Sequence, residues 1–338
     1  MLKSGIIGCG GVTRFRHVPV IETLDDIEVE WVCDLDEERA RELGTEHGID
    51  YYTDVDEALS NDVDLVHVNT PPSTHADLTV QALETGYHVL VEKPMAMSVE
   101  EGERMYDVAE ETGKELCVVH SNRFTAPVQR VMERIEAGEY GEIVHAQSFL
   151  GRERNPGESR DWVSGLHGGT LGEHVPHVIY LVTDFLDEIE HLSVVGNRGD
   201  DGMNAVSVQL ASGDSFGHIQ ANRDAPPAKM FEVFGTKGRA YVDLYNYVAV
   251  EFDTVEPSNM SIITDNLSAA YQFAASTVRS GAEFGKYALT DEGEMVGPGH
   301  YRLIKQYARS IRNGTPAPVS RGEALRVMEV LDAIEDYE

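Results

Sequence analysis

The sequence predicts two domains: an N-terminal α/β domain on a doubly wound parallel sheet (residues 1–122), then an α+β domain with a large, mostly antiparallel open sheet (residues 123–338). Two observations carry this. Up to residue 120, short apolar runs alternate with helical patterns, the signature of repeated βα units. After Arg123 that alternation gives way to successive strand patterns separated by turn residues. A chain of 338 residues also suits two domains of roughly 100–200 residues each.

In the first domain the expected strands are Ser4–Gly8, Val29–Cys33, Leu65–Asn69, His88–Val91 and Leu116–His120. Between them lie helical stretches at Val18–Leu24, Glu37–His47, Val55–Leu59, Thr74–Thr85 and Val99–Thr112. Right-handed crossovers then place helices on both faces of a parallel sheet. In the second domain a helix (Ala126–Ala137) leads to a strand (Ile143–Leu150). A Gly/Pro/Arg-rich loop (Gly151–Gly169) and an apolar helix to about Leu186 follow. From Ile189 to Phe252 successive strands are expected, among them Ala205–Leu210, Ser215–Ala221, Met230–Phe234 and Ala240–Leu244. Val206, Val208 and Leu210 alternate with Ser207 and Gln209, as on a sheet with one wet face. Tyr301–Arg312 and Gly322–Ile334 read as closing helices.

The charge is unusual. Lys and Arg number 27 against 59 Asp and Glu, a net of −32, and only seven residues are Lys. A nucleic-acid partner needs a basic footprint, and this chain has none. The carboxylates are spread along the whole length, which suits a halophile's cytoplasm, where salt screens self-repulsion. No run approaches the ~20 apolar residues of a membrane span. The N-terminus lacks a signal-peptide pattern, so a cytoplasmic location is expected. Cys9, Cys33 and Cys117 each lie in or beside an apolar run and read as buried free thiols.

Gly5-Ile6-Ile7-Gly8-Cys9-Gly10-Gly11-Val12-Thr13 follows the first strand and opens a helical stretch. Gly8 permits a tight turn, and Gly10 lets the backbone approach a pyrophosphate lying on the helix N-terminus. Thr13 stands where a third glycine is usual. This is the glycine loop of a Rossmann dinucleotide site, with Gly8, Gly10, Gly11, Val12 and Thr13 as its candidate cofactor contacts. Asp34 ends the second strand. It can accept from the adenosine ribose hydroxyls and would repel a 2′-phosphate, which favours NAD over NADP. The structural alternative is an N-cap for the helix from Glu37.

Two further segments fall at the carboxyl ends of parallel strands, where such sheets bind ligands. They are Asn69-Thr70-Pro71-Pro72-Ser73-Thr74-His75 and Gly86-Tyr87-His88-Val89-Leu90-Val91-Glu92-Lys93-Pro94. With the glycine loop, Asn122-Arg123-Phe124, Gly168-Gly169 and Phe234-Gly235-Thr236-Lys237-Gly238, they make the chain resemble the glucose–fructose oxidoreductase / inositol dehydrogenase (Gfo/Idh/MocA) family over essentially its whole length. The resemblance implies that Lys93 lies near the nicotinamide and the substrate oxygen. It implies that Asn69, Thr70, Pro71 and His75 belong to the cofactor pocket, that Glu92 contacts it, and that an open sheet in the second domain pairs subunits.

Glu173 and His177 are four residues apart, and the spacing predicts that they share a helix face, with the helix beginning near Glu173. They match the family's carboxylate and histidine by spacing, with Glu in place of Asp. His174 and Pro176 depart from the family pattern. Oxidising a secondary alcohol removes a hydride from carbon and a proton from oxygen. His177 is the candidate general base, Lys93 the stabiliser of the developing alkoxide, and Glu173 the group that orients the imidazole or binds substrate. His167, Glu173, His174 and His177 also have metal-ligand spacing, but the resemblance implies metal-free hydride transfer.

The expected function is therefore oxidation or reduction of a sugar, cyclitol or related polyol with NAD, NADP being the weaker alternative. A homodimer or homotetramer is expected, with no nucleic-acid or membrane partner. Two other classes stay open: a hydrolase or lyase working by transient oxidation on bound NAD, and a non-catalytic nucleotide-binding regulator.

Overall fold

Leu65–Val68 and Val89–Val91 are apolar but for His67, and buried throughout, as strands covered on both faces must be. They are interior strands of a six-stranded parallel sheet formed by β1 (Leu2–Ile7), β2 (Ile27–Cys33), β3 (Asp50–Tyr52), β4 (Leu65–Val68), β5 (His88–Val91) and β6 (Leu116–Val118). The strand order is β3-β2-β1-β4-β5-β6, the doubly wound Rossmann order with its reversal between β1 and β4. The helices are α1 (Val18–Glu22), α2 (Glu37–His47), α3 (Val55–Leu59), α4 (His75–Thr85) and α5 (Val99–Thr112). Their limits follow from capping chemistry. The Ser98 Oγ accepts the Glu101 N–H at the start of α5, and Gly113 ends it in the left-handed region, at φ +66°.

The computed structural model describes residues 1–152, 162–199, 202–253, 259–288 and 297–337. The chain forms two units. One comprises residues 1–121 with 296–328, the other 122–295 with 329–338. A single cut after residue 122 therefore differs from the observed division, because 296–328 return to the first unit. Helix α9 (Pro298–Asn313) explains the return. Its buried Tyr307 hydroxyl lies 3.0 Å from the Val89 carbonyl and 2.6 Å from that of Glu115, at the start of β5 and just before β6. Arg321, which opens α10 (Arg321–Glu335), pairs with Asp107 and Glu110 of α5.

The second unit holds α6 (Ala126–Glu136), β7 (Ile143–Gly151), α7 (Pro176–Thr183), β8 (His191–Gly199), β9 (Gly202–Ser212), β10 (Ser215–Asn222), β11 (Ala228–Gly235), β12 (Gly238–Asp243), β13 (Val248–Asp253) and α8 (Asn259–Ala288). Seven strands pair in the order β13-β12-β11-β7-β10-β9-β8, antiparallel except for β7 with β10. Val206, Val208 and Leu210 are buried, while Ser207 and Gln209 are not, as the alternation predicts. Helix α7 covers the buried face. Val178 accepts the Ser148 hydroxyl through its carbonyl, and Phe185, just beyond the helix, stacks on Phe231. Two elements lie outside the sequence expectations: the short edge strand β3 and the long α8. The three cysteines are buried and in no disulfide, and burial pushes the thiols of Cys9 and Cys33 up to about 12. No helix among the described residues is long and apolar enough to cross a membrane.

Candidate active site

The glycine loop is built as its chemistry demands. Gly8 has φ +101°, and a Cβ there would lie 2.8 Å from the carbonyl group of Asn69. Glycine is thus needed both for the conformation and for the close approach of the β1 and β4 ends. A Cβ at Gly10 would meet nothing within 4 Å, which leaves the backbone open to an approaching phosphate group. Helix follows directly through Gly11 and Val12, with Thr13–His17 in a wider π turn before α1. Thr13 is fully buried. Its hydroxyl donates to the Gly8 carbonyl at 2.5 Å and accepts from Asn69 Nδ2 at 3.0 Å. Thr13 and Asn69 therefore brace the loop from within.

Asp34 is half-buried at the end of β2. Its Oδ2 accepts the Cys9 N–H at 2.8 Å and its Oδ1 the Asp36 N–H at 2.9 Å. The carboxylate is thereby locked beside the loop, with acceptor lone pairs to spare for hydroxyls. The N-cap of α2 is Asp36, which accepts from the Glu38 and Arg39 N–H groups, so Asp34 has no capping role. Arg39 pairs with Asp36 at 3.1 Å, and Leu35 is exposed. The loop, the N-terminal helix and the locked carboxylate fit a dinucleotide.

His75 joins the two signature segments. It is fully buried, with Nδ1 2.9 Å from the Pro94 carbonyl and Nε2 2.7 Å from that of Thr70. Thr70 is half-buried and Pro71 exposed, so the rim belongs to them while His75 ties the ends of β4 and β5 behind it. Burial pushes the His75 pKa down, against the pull of the two carbonyls.

Glu92 is buried among histidines. Its Oε1 lies 3.1 Å from His17 Nε2 and 3.6 Å from His300 Nε2, and His17 Nδ1 lies 2.9 Å from His67 Nδ1. Glu92 Oε2 accepts the Lys93 N–H at 3.1 Å, so the cluster orients the backbone that carries Lys93. Burial pushes the Glu92 pKa up. The hydrogen bonds and charges of His17 and His300 outweigh this and hold it well below the usual carboxylate range. Burial pushes His67 well below the ordinary imidazole value, and His300 below it. Among the described residues, the one group of three potential metal ligands is His17, Glu92 and His300. In the stretch with metal-ligand spacing, His167 instead lies 3.4 Å from Asp332, and His174 3.6 Å from Glu173. Lys93 itself is half-buried, in a cis peptide with Pro94.

In the second unit the structure corrects the start of the helix that carries His177. Helix α7 begins at Pro176, where the missing N–H costs nothing, and Glu173 lies in the preceding turns. Glu173 and His177 therefore do not share a helix face. His177, in the first turn of α7, has its Nδ1 3.1 Å from the hydroxyl of buried Tyr180. The same hydroxyl accepts the Asn122 N–H at 2.9 Å, and Asn122 Nδ2 donates to the His177 carbonyl at 3.2 Å. Arg123 pairs with Asp184 at the end of α7, at 3.4 Å. Arg152 is half-buried at the end of β7, and Arg154 and Arg160 lie outside the described residues. Tyr180, His17, His67 and His300 are the neighbours of these groups that the sequence does not point to, and Asn122, quoted only within a family segment, is given no role by it. A histidine inside the apolar run of β4 and a tyrosine one turn after His177 were the available signals.

Comparison with known proteins matches residues 2–120 to the oxidoreductase family with an NAD-binding Rossmann fold, and residues 128–241 to the GFO/IDH/MocA C-terminal domain. The scyllo-inositol 2-dehydrogenase (NAD(+)) of Bacillus subtilis is 25% identical over 78% of this chain and 80% of its own. The D-glucoside 3-dehydrogenase of Escherichia coli is 35% identical over 42% of this chain and 41% of its own. Among solved structures, the WlbA dehydrogenase from Bordetella pertussis, in complex with NADH and UDP-GlcNAcA, shares the fold with a TM-score of 0.78 at 20% identity, covering 98% of this chain and 94% of that one. With both its Rossmann and its C-terminal segments matched, this chain is an NAD-binding oxidoreductase and belongs to the GFO/IDH/MocA family.

Proposed function

We propose that the chain is a dehydrogenase that prefers NAD(H) and interconverts a secondary alcohol and a ketone on a sugar, cyclitol or related polyol. The observation that carries the cofactor preference is the locked Asp34 carboxylate, a fixed negative charge beside the glycine loop. A ribose diol can donate to it, and a 2′-phosphate is repelled by it. The substrate class is supported by the relatives named for an inositol and a glucoside.

NAD, when bound, supplies the hydride acceptor. In oxidation the His177 imidazole takes the hydroxyl proton on Nε2, which requires its Nδ1 to carry a hydrogen. The Tyr180 oxygen, 3.1 Å away, is placed to accept it. Lys93 stabilises the alkoxide that forms as the proton leaves. Glu173 contributes a carboxylate to substrate binding. The remaining cofactor contacts are Gly8, Gly10, Gly11, Val12, Thr70 and Pro71 at the rim, with Thr13, Asn69, His75 and Glu92 bracing them. Cytoplasmic residence, adaptation to high salt and a homo-oligomer belong to the same reading.

The test is a panel of sugars, cyclitols and sugar acids with NAD or NADP in molar KCl, following free NADH and product together. Accumulation of NADH supports the reading. Product without net NADH would point to transient oxidation, and tight NAD binding without turnover to a regulator.

A further inference from the structure

Helix α8 carries its faces in inverted order. On one face Gln272, Ser276 and Ser280 follow at four-residue spacing and dock on the edge strand β13. The Gln272 Oε1 accepts the Glu251 N–H at 2.9 Å and its Nε2 donates to the Glu251 carbonyl at 2.8 Å. The Ser276 hydroxyl donates to Ala249 at 3.1 Å, and that of Ser280 to Tyr247 at 2.6 Å. These bonds satisfy backbone groups that a bare sheet edge would expose. The polar face of the helix is thereby used up inside the unit.

The opposite face is apolar. Met260, Ile263, Leu267, Tyr271 and Val278 lie on one stripe and are 54 to 73% exposed, with Ile262 and Phe273 also exposed. A helix on a domain surface normally buries its apolar stripe and shows its polar one. A contiguous exposed patch of this kind marks an interface.

Charge identifies the occupant. Within Asn259–Ala288 the charged residues are Asp265, Arg279, Glu283 and Lys286, which cancel, in a chain of net −32. Two copies of so acidic a chain repel wherever carboxylates meet, and α8 is a surface where they do not. The stripe from Met260 to Val278 spans about 27 Å, and its three- and four-residue steps suit packing against another helix. A two-fold axis sets such a stripe against itself. We propose that α8 is the core of a symmetric dimer, packed antiparallel on α8 of a second copy of this chain. The inference rests on the homo-oligomer part of the reading above and gives it an element; it is independent of the reaction.

The test compares wild type, the double variant L267E/Y271E and A270C by sedimentation velocity in molar KCl. Wild type should sediment at twice the chain mass or a multiple of it, and the double variant at half the wild-type mass. The double variant should keep its circular dichroism and NAD affinity, because both side chains face solvent in the single copy. Ala270 is exposed near the middle of the stripe, so mild oxidation of A270C should give a disulfide-linked pair, the native cysteines being buried. Should the double variant unfold, the A270C crosslink decides. An oligomeric wild type whose mass survives L267E/Y271E, with no A270C crosslink, would put the contact elsewhere and overturn the inference while leaving the homo-oligomer standing. A monomeric wild type would overturn both.

Discussion

The Tyr180 hydroxyl stands 3.1 Å from His177 Nδ1 while accepting the Asn122 N–H at 2.9 Å. Its position one turn along α7 lets a buried side chain hold the Nδ1 edge of a partly accessible imidazole in place, and the proposed role of His177 as base requires this oxygen to accept from Nδ1–H, which leaves Nε2 free. Tyr180→Phe should therefore lower kcat on the order of tenfold, leave NAD affinity unchanged, and allow both tautomers by nitrogen-resolved NMR. An unchanged kcat with an unchanged tautomer would remove Tyr180 from the reaction.

The proposed reaction has Lys93 and His177 act on one substrate oxygen, so their losses should not add. Lys93→Met and His177→Ala should each lower kcat roughly 10²–10³-fold with little effect on NAD affinity, and the double variant should resemble the worse single one. Stopped or steady-state kinetics in molar KCl measure this. Fully multiplicative losses would mean that the two residues serve separate steps.

Asp34, proposed to face the nucleotide, also ties the loop through the Cys9 N–H. Asp34→Ala should weaken NAD binding and narrow the gap between NAD and NADP, because the fixed charge that repels the 2′-phosphate is gone. Calorimetric titration with both cofactors checks it. Tighter NADP binding by the wild type would refute the assignment.

The first sheet was legible because its signals are local. Helices α2 and α5 were read to the residue, since Asp36 and Ser98 start them and Gly48 and Gly113 stop them. The short β3, with two of its three residues exposed, carries no pattern. Helix α8 was not read because Ser, Thr and Asn dilute its helical signal and its apolar stripe faces outward. The Glu173–His177 spacing points to a start near Glu173, whereas α7 starts at Pro176, which is itself a helix-start signal. The Glu92 cluster gathers residues 17, 67, 92 and 300, which only the tertiary fold brings together. Lys93, by contrast, was singled out by its place at a strand end in a chain with seven lysines.

With a net charge of −32, self-repulsion opposes the folded state in dilute buffer. The melting temperature should rise steadily from low to multimolar KCl, and more steeply than that of a neutral relative of the same fold, in which salt strengthens apolar burial alone. Parallel slopes for the two proteins would show that the excess charge is not what salt relieves.

Acidification should destabilise the fold through its buried histidines. His67 and His75 are fully buried, and burial pushes both below the ordinary value of 6.5. Above that pH both rings are neutral, folded or unfolded. Below it the unfolded chain takes up protons that the folded chain refuses, so stability is lost as pH falls, by about 1.4 kcal/mol per group for each pH unit until the folded ring titrates. Glu92, held well below the carboxylate range, acts in the same sense at lower pH. Relief of carboxylate repulsion acts oppositely, so the measurement belongs in molar KCl, where that repulsion is screened. The urea midpoint should be level from pH 8 to 7 and fall between about 6.5 and 5.5. His75→Gln, which keeps one donor for the two carbonyls but cannot titrate, should flatten that fall by about one proton's worth. A midpoint independent of pH across this range would mean that the folded and unfolded chains take up protons alike, and that burial does not hold these rings below their ordinary value.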